Sequence, residues 1–290
     1  MLTPEALSPI NGKTKTPLLR SPSELHRLPS GGCANKVVVL KTLLVDPQAD
    51  GDDTFKTLDA ALVAAAKGDT IQLKPGLYDL PKQIDVEKSV HIEGLGSRGD
   101  VVLQRSGFSG FVLNLAVVKG SGSIRNLTMT PKKGSRGVCG VHIRFGDWLI
   151  EHCDIQGSAA TGTAVLMGAD ANGTVRGCWL HGSDVAVDIE NGLLDGNDVY
   201  HSRDCILARS KSDRGTVVIR RNRLYDFKEL GIWAGTQGSV LVEENEVWNV
   251  GPESISADKT CTKLEMRKNK AMKGPTDQLG KSEGDVGRRI

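Results

Sequence analysis

A short pattern, apolar-x-x-Asn-x-apolar, is written three times between Leu194 and Val247: Leu194-Asp-Gly-Asn197-Asp-Val199, Ile219-Arg-Arg-Asn222-Arg-Leu224 and Val242-Glu-Glu-Asn245-Glu-Val247. Fainter copies begin at Ile92, Ile124, Ile150, Val175 and Met266. The starts recur every 19 to 32 residues. Recurrence on this scale marks a solenoid, in which each repeat buries its apolar face only against its neighbours. The units hold short β-branched runs with alternating apolar residues, separated by Gly, Asn, Asp and Ser, and leave no room for paired helices. A second apolar pair follows in each unit, as Val187/Ile189, Ile206/Ala208 and Ile232/Ala234. Two strand columns therefore keep register while the turns vary. The predicted fold is all-β: a single-stranded right-handed parallel β-helix of about eight coils with an N-terminal capping helix.

The Asn column has its own physical reading. Asn tolerates the left-handed backbone of a sharp turn, and stacked amides bond to one another along an axis. Asn197, Asn222, Asn245 and Asn269 are expected to form a structural ladder, with Cys153 and Cys178 in the equivalent slots.

The array divides the chain into an arm (1–36), a β-helix domain (37–272) and a polar tail (273–290). The arm carries five Lys/Arg against two Glu and the stretch 261–290 eight against four, so the net charge of +2 conceals an acidic body. Both basic stretches are diluted by Gly, Ser and Pro, which suits solvated tails better than nucleic-acid binding. Thr3-Pro4, Ser8-Pro9, Thr16-Pro17 and Ser21-Pro22 make the arm a Pro-rich tail, with proline-directed phosphorylation or organelle targeting as alternatives. No apolar run is long enough for a membrane span. Six Cys without a CxxC spacing or secretory leader read as buried thiols in a reducing compartment, not as disulfides or a zinc site. An intracellular, cytoplasmic protein without metal or cofactor is expected.

Thr54 is placed to cap a helix reaching about Ala66, with Leu58, Ala61, Leu62 and Ala65 on one face. Such a helix would plug the open end of the first coil. Phe55-Lys-Thr-Leu-Asp-Ala-Ala-Leu, Gly68-Asp-Thr-Ile and Lys74-Pro-Gly-Leu-Tyr78 together resemble the entry segment of pectate-lyase-like β-helix proteins. They are most similar to the carbohydrate-binding and sugar-hydrolase-type repeat domains of F-box and Shc-SH2-domain-binding proteins. The resemblance covers residues 37–272 and implies the fold; it is shared by enzymes and non-enzymes.

Carbohydrate enzymes of that group build sites from converging acids, with metal or an Arg or Lys base in the lyases. Here the outward residues of the later column are His142, Arg144, Asp188, Glu190, Leu207, Arg209, Trp233 and Ser256, in which no three carboxylates converge. Asp204-Cys-Ile resembles one fragment of the polygalacturonase pattern, whose other elements are absent, as is the Asp-Pro-His of alginate epimerases. A better constellation lies three residues past the ladder slot: His181, Tyr200, Tyr225 and Trp248 recur once per coil. These aromatics could form a binding row, with Trp233 as a further binding candidate. His181 and His201 with Asp184 and Asp204 are the candidate acid and base groups. Two functions follow. One is a non-catalytic interaction module for a protein partner, alone or as a subunit of a larger assembly; the other is a polysaccharide lyase or epimerase acting on a glycan.

Overall fold

A computed structural model describes residues 39–49, 54–209, 213, 215–235, 237–249, 253–259, 261 and 263–273. The arm with its four Ser/Thr-Pro steps, Cys33 and the tail after Lys273 lie outside the described residues. From Thr42 to Lys273 the chain is a parallel β-solenoid of about nine turns. It has three faces, where the sequence pattern distinguishes two strand columns. The additional face arises because the ladder slot is a corner, so the apolar residues on either side of it belong to different sheets.

The first face stacks Thr42–Val45, Thr70–Leu73, His91–Gly94, the later parts of Gly110–Arg125 and Val138–Glu151, then Gly173–Arg176, Gly192–Asp195, Thr216–Arg220, Ser239–Glu243 and Lys263–Arg267. The second is a nine-stranded sheet running from Gly76–Leu80 through Trp179–His181, Asp198–Tyr200 and Arg223–Tyr225 to Lys270–Lys273. The third begins at Ile84–Val86, takes in the starts of the two long strands and ends at Glu253–Ala257. Ile92, Ile124, Ile150, Val175, Leu194, Ile219 and Val242 form one inward column, each 0 % exposed. Each such side chain contributes roughly 1.5–3 kcal/mol relative to exposure.

The first strand is Thr42–Val45, shorter than the apolar run that ends at Val45. The helix is also shorter than expected: α1 spans Leu58–Ala64, and its cap is Thr57, whose Oγ1 accepts from the Ala60 amide, rather than Thr54. Phe55 bridges to Val45, and this pairing holds the chain extended past Thr54. Leu58, Ala61, Leu62 and Ala65 are buried against the first coils. At the other end of α1, Lys88 Nζ donates to the carbonyls of Leu62, Val63 and Ala65 at 2.8–2.9 Å, satisfying acceptors that the helix leaves open.

The entry motif is structural chemistry. Asp69 is 2 % exposed and accepts from the Lys41 and Ala66 amides, which hold its carboxyl below the usual carboxylate range. The Tyr78 hydroxyl lies 2.8 Å from the Lys74 carbonyl and 3.1 Å from that of Val45, and burial pushes its pKa up to about 12.

At the corner between the first and second faces, the left-handed residue is not the Asn. It stands one place earlier: Asn126, His152, Gly177, Gly196, Arg221, Glu244 and Lys268 all have φ between 51° and 64°. The bend there turns the following side chain inward, where it meets the backbone of neighbouring coils.

Those inward side chains make a continuous chain of bonds. Asn197 donates from its amide and Nδ2 to Asn222 Oδ1, Asn222 does the same to Asn245, and Asn245 to Asn269, all at 2.9–3.0 Å. Each Nδ2 also donates to a backbone carbonyl: Val175, Leu194, Ile219 and Val242 in turn. Cys178 donates its amide to Asn197 Oδ1, and Cys153 donates to the Cys178 sulfur at 3.4 Å. Both thiols are fully buried, and burial pushes the Cys153 thiol up.

Candidate functional site

The second face carries the aromatic row. Register pairs His181 with Tyr200 and Tyr200 with Tyr225. The rings stack in parallel: His181 on Tyr200 at 4.6 Å and 9°, Tyr200 on Tyr225 at 5.0 Å and 2°. Trp248 follows Val247, which pairs with Leu224, and so takes the next place in the row. This geometry has a chemical consequence. Both faces of Tyr200 are covered by its neighbours, so the row offers ring edges outward, whereas a sugar stacks on an open ring face. Trp233 pairs in register with Leu207 and Ser256 on the third face, apart from the row.

The four acid and base candidates are each held by other groups. His181 Nε2 lies 2.8 Å from Asp154, and His201 Nε2 lies 3.3 Å from Asp226. Arg203 takes both acids, at 3.3 Å from Asp184 and 3.1 Å from Asp204, and Asp204 also accepts from the Leu230 amide. Histidine-acid pairs exist, but with Asp154 and Asp226. Among the described residues no three His, Cys, Asp or Glu side chains form a group able to hold a metal.

Three features escaped the sequence reading. The first is a column of alternating charge on the outside of the first face, in unbroken register: Glu93, Arg125, Glu151, Arg176, Asp195, Arg220, Glu243 and Arg267. Glu151 sits between Arg125 at 2.9 Å and Arg176, whose Nε donates at 2.7 Å. Asp195 binds Arg220 at 3.0 Å and Arg221 through two bonds of 2.8 and 2.6 Å. The signal was present, since each member directly follows the first apolar residue of its repeat.

Burial by itself raises the Asp195 pKa, but the bonds from Arg221 and Arg220 outweigh it and the net value falls below the usual range. A carboxyl depressed by folding stabilises the protein above its unfolded pKa, and that contribution is lost as pH falls through the folded value. Asp195→Asn should therefore lower the urea midpoint at neutral pH and have little effect at a pH below the folded value. Equal losses at both pH values would show that the charge does not matter.

The second feature is a pair of serine rungs at the next corner. Ser183 Oγ accepts from the Gly157 amide at 2.9 Å, and Ser202 Oγ accepts from the Ser183 amide at 3.4 Å. The left-handed residues Gly182 and His201 precede them, repeating the logic of the Asn corner. The third is a groove of about 620 Å³ on the first face, lined by His91, Ser123, Asp147, Trp148 and Asn172 among others.

With a three-faced parallel coil and its inward amide ladder established, the class is a β-helix solenoid. Residues 115–271 match the right-handed beta helix region family, and the chain belongs to it. Of curated proteins, SHC SH2 domain-binding protein 1 homolog B of Xenopus laevis is 30 % identical over 159 residues, covering 53 % of this chain and 22 % of that protein. Homolog A of the same species is 29 % identical over 160 residues, again covering 53 % and 22 %. The chain thus spans about a fifth of the length of these relatives. Among solved structures, the pectin methylesterase of Aspergillus niger superposes with a TM-score of 0.54 at 13 % identity, covering 91 % of this chain and 93 % of that one. A mannuronan C-5 epimerase A-module of Azotobacter vinelandii gives 0.57 at 14 %, covering 73 % and 71 %. At such identities the likeness is one of fold. Among the described residues no helix is long and apolar enough to cross a membrane.

Proposed function

We propose that this chain is a non-catalytic β-helix interaction module that binds a protein partner. The carrying observation is that the groups chemistry would need are already committed: Arg203 holds Asp184 and Asp204, Asp154 faces His181, and the Tyr200 ring is stacked on both sides. A general acid or base must be within reach of a substrate proton, and a carboxylate neutralised by a guanidinium is a poor proton acceptor. The distant similarity to SHC SH2 domain-binding proteins supports the same reading. Tyr200, Tyr225 and Trp248 are its binding residues, through their outward edges, with Trp233 on the third face as a second contact. Buried thiols at Cys153, Cys178 and Cys205 suit a reducing, cytoplasmic setting.

The alternative, a lyase or epimerase on a glycan, draws on the groove beside His91, Asp147 and Asn172, which has the size of a ligand cleft. One experiment separates them. The intact protein and a Tyr200/Tyr225/Trp248→Ala variant are used for capture from the native source, and the intact protein is incubated with pectin, polygalacturonate and alginate. A protein retained by the intact form and lost in the variant is the expected result. Turnover of any polysaccharide would overturn the proposal.

A further inference from the structure

The charges at the first corner lie at two depths. The Glu151 and Asp195 side chains are each 7 % exposed, whereas Arg125, Arg176, Arg220 and Arg221 keep 36–54 % of their side chains in solvent. A guanidinium has five N–H donors in one plane, and the buried carboxylate beneath it uses two at most. The Arg220 Nε is buried, but the exposed parts of these guanidinium groups carry donors on side chains that the carboxylates already hold in place, which lowers the entropy lost on binding an anion.

Across the corner the second face continues the surface. Trp179 is 38 % exposed, with the Arg98 guanidinium 4.1 Å from its ring centroid. Two coils on, Arg223 is 38 % exposed and held by Asp198 of the intervening coil through bonds of 2.5 and 2.6 Å. Between these banks lie Gly177 and Gly196, both left-handed, and a Cβ at Gly196 would meet nothing within 4 Å. The corner is bare backbone at Gly196, has the His152 ring beside Gly177, and is flanked by anchored arginines and by the partly exposed Trp179 indole, which carries Arg98 over its ring.

We propose that this corner, from Arg125 to Arg223 with Trp179 at its centre, docks an extended acidic segment of a partner protein. The proposal rests on the protein-binding reading above and gives that partner its chemistry. Arg125, Arg176 and Arg220 recur on alternate coils, a spacing of about 9.6 Å, close to the ~9.3 Å turn of an extended polyproline II chain, which brings every third side chain to the same face. Arginine forks match carboxylates bidentately, and a Trp among arginines is the composition of an interface anchor. A single-stranded nucleic acid fits less well, because it stacks successive bases on open rings and the neighbouring Tyr200 row is closed.

The test uses the full chain and fluorescence anisotropy. The probes are a labelled peptide with Glu at every third position, its Gln counterpart and a labelled single-stranded oligonucleotide. The Glu peptide should bind in a salt-sensitive way and the Gln peptide should not. Trp179→Ala and Arg176→Gln should each weaken binding about tenfold, while Lys132→Gln, on a distant surface pair with Asp79, leaves it unchanged. Arg176→Gln keeps the fold because Glu151 retains Arg125, and an unchanged thermal midpoint verifies this. Equal binding by all variants, no binding, or a preference for the oligonucleotide would overturn the proposal. Capture of a native protein partner that survives the corner variants would remove the corner but leave the proposed function standing; absence of any protein partner would remove both.

Discussion

Replacing Asn222 with Leu is expected to destabilise the solenoid by about 3–5 kcal/mol, among the largest effects of any single change. Asn222 is 0 % exposed and sits in the middle of the amide ladder. Its Oδ1 takes two donors from Asn197, and its Nδ2 serves Leu194 O and Asn245 Oδ1. Leucine would leave two buried N–H donors on Asn197 and the Leu194 carbonyl unpaired, each costing about 1–3 kcal/mol. For a domain of this size the melting temperature should fall by about 10 °C or more. Asn269→Leu removes a similar pair of acceptor bonds, but at a partly exposed site where water can replace them, so about 1 kcal/mol is expected. Thermal denaturation of the two variants reads the difference, and equal losses would mean that the ladder is not the source.

The second large effect belongs to Trp148. This side chain is 2 % exposed and pairs in register with Gly122, where an added Cβ would stand 2.3 Å from the indole. Glycine at 122 therefore makes the space that the ring fills. Trp148→Ala should cost about 3–5 kcal/mol through lost contacts and a residual cavity. Trp148→Phe should cost clearly less than Trp148→Ala, because it keeps most of the buried ring volume and the indole N–H it deletes has no hydrogen-bond partner. Urea titration of both variants gives the comparison. A Phe variant as unstable as the Ala variant would mean that the N–H matters more than the volume.

Particular residues show why the fold was legible and the site less so. The inward column from Ile92 to Val242 repeats once per coil, and a repeat needs no long-range knowledge to be seen. The corner logic was harder. Left-handed backbone falls on Arg221, Glu244 and Lys268, residue types with no strong preference for it, because the tertiary stack imposes the bend. Helix α1 starts three residues late for a comparable reason, a bridge between Phe55 and Val45 that local propensity cannot register. The alternating charges were written in plain order, yet only strand register shows that they face one another. The His and Asp partners were misjudged because proximity in sequence does not decide which coil a side chain meets.

The amide ladder also has a direction. Each Asn rung up to Asn245 gives its backbone hydrogen and one side-chain hydrogen to the rung that comes later in the chain and receives none from it, as Asn197 gives to Asn222 and Asn222 to Asn245. A coil without its successor would leave these two donors to water. The ladder is therefore polar along the solenoid axis: from Asn197 to Asn269 the two hydrogens of each rung meet one oxygen of the next turn, which ties the register of successive turns together.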